Sequence, residues 1–192
     1  MKSNKKNFQL PLQLHVTPDN QISNNNFEEV VNGDYTDMDI CENVWLYRPR
    51  GGFWSSSYDD NDGSDWIQTN LSWGNGCSMI KNRFQFLLFP KQNLSLYVLD
   101  TKEDLDKIME RFRRSAPTNK HRKIPFLDFE KLAQHVDGLH VTKNGVRLLE
   151  NTEPYQLKYW DCESTLWFHL DWIEKIEEKG KINIKTFLDN TP

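Results

Sequence analysis

LYRPRGGFWSSSYDDNDGSDW, residues Leu46–Trp66, packs a β-prone entry, the pair Gly51-Gly52, the triplet Ser55, Ser56 and Ser57, four acidic residues and two tryptophans into 21 positions. A surface loop has no use for Trp54 and Trp66, and a core strand has no use for so many hydroxyls and carboxylates. GFWSSS (52–57) reads as a strand, preceded by NVWLY (43–47) as another or as the same strand broken at the double glycine. DDNDGSDWIQTNL reads as a loop entering a short helix, with Asp62 or Ser64 available as its N-cap.

The surrounding composition bounds the answer. A chain of 192 residues supports one sizeable core, and 37% hydrophobic with 27% charged residues describes a folded soluble protein. Seven Trp, eleven Phe and six Tyr exclude disorder. A net charge of −4 gives no global attraction to phosphate. Cys41, Cys77 and Cys162 have no short spacing, so neither a disulfide framework nor a zinc site is indicated, and no metal is expected. Gln9, Pro11 and Gln13 interrupt what would be a signal-peptide core, and no run approaches the ~20 apolar residues of a membrane span. The expectation is an intracellular, cytoplasmic protein with no membrane partner.

Outward from the opening stretch, FQLPLQLHVT (8–17) predicts an early strand with His15 near its end, and 27–31 a short helical turn. RFQFLLFP and NLSLYVLD predict a hairpin about a Lys-Gln turn. TKEDLDKIMERFRR predicts a helix, with Thr101 and Asp104 as a capping box. PFLDFEKLAQHV predicts a second amphipathic helix with Phe126, Phe129, Leu132, Ala133 and Val136 on one face. GLHVT is another strand, followed by an irregular stretch, then YQLKYWDCESTLWFHL, then a charged tail from Asp171. The whole is one α+β domain over 1–192, with 1–9 and 180–192 as loosely ordered tails.

No phosphate-binding glycine fingerprint and no Walker lysine is present, and the serines form no nucleophile elbow. Gly51-Gly52 alone reads equally as a turn needing positive φ, the serines as strand-edge residues, His15 as a structural histidine and Trp66 as the first buried residue of a helix. Glu163 stands at the mouth of the β-prone run STLWF among apolar neighbours, where burial and partners govern a carboxylate's chemistry. The basic run Arg111, Arg113, Arg114, Lys120, His121, Arg122 and Lys123 is a solvated helix end before it is a phosphate contact.

In order along the chain, His-x-Thr on a strand, GGFWSSS leading to GSDW, DGLHVT, and a late Glu opening a strand resemble the ADP-ribosyltransferase superfamily. The likeness is greatest to its His–aromatic–Glu branch, which includes poly(ADP-ribose) polymerases. HVDGLHVT followed by WDCESTLWF is also similar to the ending of small phage and bacterial proteins of unassigned activity. The blocks are short and spread over about 150 residues, and their order carries the likeness.

The resemblance implies a split antiparallel sheet with flanking helices and NAD as substrate, with transfer to a macromolecular acceptor, protein or nucleic acid, in a phage–bacterium conflict. It implies that His15 bonds the adenosine ribose and that Thr17 shapes that strand end. Gly52 and Phe53 would lie along the dinucleotide, Ser64 would reach the nicotinamide amide, and Trp66 would stack on its ring. Glu163 would be the catalytic carboxylate. Trp66 replaces the usual Tyr, and Asp161 stands where the arginine-modifying branch has Glu or Gln. An Arg–Ser–Glu arrangement built from Arg48 or Arg50 with Ser55 or Ser56 stays open, as does a non-catalytic binding or inhibitor protein with the same fold.

Overall fold

The computed structural model describes residues 8–32, 48–60, 63–73, 80–115, 125–149 and 160–183. NVWLY, Asp62, Cys41, Cys77, Lys120, His121, Arg122 and Lys123 lie outside them.

The elements in chain order are β1 (Gln13–Thr17), β2 (Phe53–Asp59), β3 (Gly63–Ser64), α1 (Asp65–Ser72), β4 (Phe84–Pro90), β5 (Leu96–Leu99) and α2 (Lys102–Phe112). They continue with β6 (Arg113–Ser115), β7 (Pro125–Leu127), α3 (Phe129–Ala133), β8 (Gly138–Val141), α4 (Lys143–Leu149), β9 (Ser164–Trp167) and β10 (Ile173–Lys181). The architecture is α+β. Among the described residues one sheet runs β10-β4-β1-β2-β9-β8-β5, with β3 on β2, and β6 and β7 form a separate pair. Its pairings are antiparallel except β5 on β8.

Alternation along the central strands buries both faces. Tyr97 and Leu99 of β5, Leu139 and Val141 of β8 and Leu166 of β9 join Leu105, Ile108, Met109 and Phe112 of α2 in one core. Leu96, Val98 and Trp167 point the other way, toward Phe53, Phe86, Leu88 and Trp172. Trp167 and Trp172 stack with centroids 3.6 Å apart. A third cluster, Leu14, Ile67, Ile80, Leu87 and Ile182, seats α1 against β1 and β4. The period of two along a strand requires such a division.

Within this continuous sheet β1 and β2 pair over only part of their length. β1 pairs with β4 along all five of its residues, yet with β2 only at Gln13↔Ser57 and Leu14↔Ser56. The other end of β2 pairs with β9, from Phe53↔Trp167 to Ser55↔Thr165. From His15 onward the two strands diverge. The His15 ring fills the opening, its Nδ1–H donating to the Trp54 carbonyl at 2.7 Å.

Several sequence expectations change. RFQFLLFP and NLSLYVLD are both strands but not a hairpin: β4 lies between β10 and β1, and β5 lies at the far edge on β8. All four residues of β5 are buried, so it needs cover on both faces, and its parallel pairing with β8 requires a crossover that α2 begins. Lys91 N–H meanwhile bonds Trp172 O instead of closing a turn onto β5. The second amphipathic helix shrinks to Phe129–Ala133 because Asp128 caps it, accepting from Lys131 N, while Pro125–Leu127 pairs with β6.

The helical turn expected at 27–31 is instead a 3-10 turn at Asn24–Asn26, capped by Ser23, and Val31 bridges Arg50. The early strand is shorter, Gln13–Thr17, with His15 at its middle. The irregular stretch contains α4. The charged tail is β10, an edge strand of nine residues. Its Lys175, Lys179 and Lys181 lie over the rings of Phe89, Tyr58 and Phe84, covering apolar surface while the charges discourage edge pairing. The helix capped by the Thr101–Asp104 box is α2, as its spacing indicates.

Gly51 has φ of +71°, and a Cβ there would sit 2.3 Å from Glu29 O. Gly51→Ala therefore combines a left-handed conformation with a backbone clash, and is expected to cost about 2 kcal/mol or more. Urea unfolding at constant m-value measures it, as a lowered midpoint.

Candidate active site

The divergence of β1 and β2 opens a cleft of about 700 Å³, a size usual for small-molecule sites. β1 supplies Leu14, His15 and Val16, and β2 supplies Trp54, Ser55 and Ser56. α1 contributes Trp66, Thr69 and Asn70, with Ser64 before it and Trp73 after it. Positions 66, 69, 70 and 73 fall on one helical face, which is why a single helix can wall the cleft. Trp160, Asp161, Cys162 and Ser164 close the far side, and Arg48, Arg50 and Glu28 stand at the rim. Trp54 packs on Trp160 with centroids 5.0 Å apart, and Trp73 is 45% exposed.

Glu163 lies directly beneath this wall, 5% exposed, one residue before β9 begins. Its Oε2 accepts from Ser56 Oγ and from the Ser57 backbone N–H, and its Oε1 accepts from Ser57 Oγ, all at 2.9 Å. The ladder between β2 and β9 ends at Ser55↔Thr165, and the carboxylate takes over the free N–H of Ser57 beyond that end. Burial pushes the Glu163 carboxyl above the ordinary carboxylate range; the Ser57 and Ser56 hydrogen bonds oppose the shift, and the Asp65 charge adds to it.

The helix start is locked to the same group. Asp65 Oδ2 accepts from the Glu163 backbone N–H at 2.8 Å. Ser56 Oγ, while donating to Glu163, receives the Trp66 backbone N–H at 3.4 Å. Ser64 occupies the N-cap position of α1, yet its hydroxyl caps nothing. The opening stretch thus closes on itself around Glu163: the serines of β2 grip both the carboxylate and the helix that carries Trp66.

Below the serines lies a buried polar network with a defined donor direction. Gln13 Oε1 accepts from Ser55 Oγ at 2.7 Å and Thr165 Oγ1 at 3.0 Å, which fixes the orientation of its amide. Gln13 Nε2 then donates to Ser57 Oγ at 3.3 Å, and that hydroxyl donates to Glu163. Trp167 Nε1 donates to Ser55 Oγ at 2.8 Å. Because Thr165 Oγ1 spends its proton on Gln13, it accepts from His140 Nδ1–H at 2.9 Å. The same nitrogen lies 3.5 Å from Glu163 Oε1. Burial lowers the pKa of both His15 and His140 to about 4, so both are neutral near pH 7. Burial, with Asp65 and Glu163 nearby, pushes the Cys162 thiol up to about 12, leaving it no thiolate for nucleophilic work.

His15, Ser64 and Trp66 are brought to one cleft, with Glu163 joined to it through Ser56. Thr17, Gly52 and Phe53 are not. The Thr17 hydroxyl donates to Asp19 Oδ2 at 3.3 Å. The space a Gly52 side chain would need is held by Leu166 and Val30. The Phe53 ring stacks on His15 at 4.1 Å and faces Trp172 in the core. Arg48 and Arg50 do reach the rim, and Arg48 pairs with Asp161 at 2.5 Å. Sequence reasoning missed Gln13, His140 and Thr165, although a lone His inside GLHV and hydroxyls opening the apolar strand STLW are legible signs of a buried network. It also missed Asn70 and Trp73, which the helical spacing from Trp66 exposes. Arg111, Arg113 and Arg114 lie far along the chain on α2 and β6 and do not line this cleft.

Among the described residues no group of three or more His, Cys, Asp or Glu is placed to hold a metal, and no helix is long and apolar enough to cross a membrane. Comparison of the chain with protein-family models, with curated proteins and with solved structures finds no match.

Proposed function

We propose that the protein is an NAD-dependent ADP-ribosyltransferase acting on a macromolecular acceptor. The observation that carries this reading is the meeting of His15, Ser64 and Trp66 in one cleft where β1 and β2 diverge, with the Glu163 carboxylate held under its wall. These residues are separated by up to 148 positions, and the enzyme reading requires them to converge. In this reading the short pairing of β1 with β2 corresponds to the split of the sheet that the resemblance implies.

In this reading neutral His15, its Nδ1–H committed to Trp54 O, offers Nε2 as an acceptor to a ribose hydroxyl. Trp66 holds the nicotinamide ring and orients the glycosidic bond. That bond breaks with its electron pair passing to the nicotinamide nitrogen, and positive charge develops on the ribose carbon. Ionised Glu163 stabilises that charge, and an acceptor nucleophile bonds the same carbon and loses its proton to solvent. Incubation with NAD labelled in the adenosine half and a cell lysate is expected to label a macromolecule and release nicotinamide in equal amount. Nicotinamide release no faster than in a protein-free control overturns the enzyme.

One observation favours a second reading, a binding protein that keeps the fold without turnover. Both Glu163 oxygens are already occupied by Ser56 and Ser57, and the residue is almost fully covered. Calorimetry separates the two: the binding protein takes up a partner without NAD and is indifferent to Glu163→Gln.

A further inference from the structure

Asn70 is an unassigned polar group in the cleft with one half of its amide unspent. Its Nδ2 donates to Trp66 O, four residues back, at 2.8 Å. That bond sets the orientation of the amide and turns Oδ1 away as an acceptor. Asn70 is 3% exposed, its Oδ1 has no hydrogen-bond partner, and the residue lines the cleft. Ser64 is 1% exposed and its Oγ is equally unpartnered, because Ser56 has taken over the helix N–H that a Ser at the N-cap ordinarily receives. Six buried side-chain polar atoms lack a partner among the described residues, and each calls for a reason; these two belong to the segment that walls the cleft. Here both flank Trp66: Ser64 two residues before it, Asn70 one helical turn after it.

We infer that Asn70 is a specificity-determining ligand contact that selects a carboxamide over a carboxylate on the ring lying against Trp66; this rests on the NAD reading above. A primary carboxamide matches both groups at once. Its N–H donates to Asn70 Oδ1, and its carbonyl accepts from the Ser64 hydroxyl. A carboxylate presents only acceptor oxygens at neutral pH, so it still receives the Ser64 proton but sets oxygen against oxygen at Asn70. A site whose buried acceptor is left unpaired by the wrong ligand discriminates strongly against it.

The test compares NAD with its deamido form, in which the ring carries a carboxylate, by calorimetry on the full chain. Wild type is expected to bind NAD about tenfold more tightly or better, and Asn70→Leu, of similar volume but with no acceptor, to bring the ratio to about one. Ser64→Ala, which leaves the Asn70 acceptor in place, is expected to weaken both ligands and keep the preference. Equal affinities in wild type, or a preference unchanged in folded Asn70→Leu, overturns the role of Asn70 while leaving the NAD reading intact. Failure of wild type to bind either dinucleotide removes the NAD reading and the inference together. Should Asn70→Leu fail to fold, the wild-type ratio, together with Asn70→Ser, which shortens the side chain out of reach, still decides the matter.

Discussion

Glu163→Gln is expected to release nicotinamide from NAD about 10²- to 10³-fold more slowly than wild type, with little loss of stability. The two effects separate because the surrounding hydroxyls can reorient. Ser56 Oγ and the Ser57 N–H need an acceptor at one end of the side chain, which the Gln carbonyl supplies. Its amide then faces Ser57 Oγ, which can reverse from donor to acceptor. Removing the charge also relieves the desolvation that raises the Glu163 pKa.

Wild-type activity needs the ionised carboxylate, so the rate is expected to fall as pH drops through a pKa lying above the ordinary carboxylate range. Single-turnover nicotinamide release over a pH series, with far-UV circular dichroism as the fold control, measures both. A folded Glu163→Gln variant with undiminished turnover removes Glu163 from the chemistry.

Acidification is expected to destabilise the fold well before ordinary carboxylates titrate. His140 is 3% exposed and its pKa drops from 6.5 to about 4 in the folded chain, chiefly through burial, with Asp100 opposing. His15 moves the same way to about 4, chiefly through burial, with the Trp54 hydrogen bond and Asp19 opposing and Arg83 assisting. Both groups bind protons in the unfolded chain near pH 6.5 and in the folded chain only near pH 4. Their contribution is therefore complete above pH 6.5 and is lost as pH falls toward 4.

For His140 alone the loss amounts to about 3 kcal/mol, and His15 adds in the same direction. Glu163, whose pKa is raised, acts oppositely and returns part of this as it protonates. Urea unfolding free energies at pH 7 and pH 4 give the slope. His140→Asn keeps a donor toward Thr165 without a titrating ring, and is expected to flatten the slope by the His140 share. An unchanged slope in that variant contradicts the neutral, buried state of His140.

Much of the site was legible because its residues are locally unusual. A strand carrying three consecutive hydroxyls, a tryptophan in the first turn of a helix and a carboxylate before an apolar strand each violate the pattern of their own element. Their order suggested one site before any geometry was known. A turn needing positive φ is one reading of Gly51-Gly52, and both residues have it, at +71° and +73°. Their purpose was not legible. Gly52 admits Leu166 and Val30, neighbours that arrive from 114 positions later and 22 earlier.

Local patterns determined the strand character of β2, β4, β5, β8 and β9, the capped helix α2, and the residue types from which an active site could be made. Tertiary structure decided which strands meet. The hydrogen-bonding edges of β4 and β5 are alike in sequence, and only the demand to bury β5 on both faces sends it to β8 rather than back onto β4. It also decided that β1 and β2 part after Leu14, so that His15 keeps its ladder position against Phe86 of β4 but faces a gap on the β2 side. And it decided that Glu163 is gripped by Ser56 and Ser57 rather than left open to solvent. The acidic run of the opening stretch divides the same way: Asp65 anchors the Glu163 backbone, a role that depends on a partner 98 residues distant. Periodicity records what a residue does for its own strand or helix; what it does for a distant one is fixed only when the chain has closed around it.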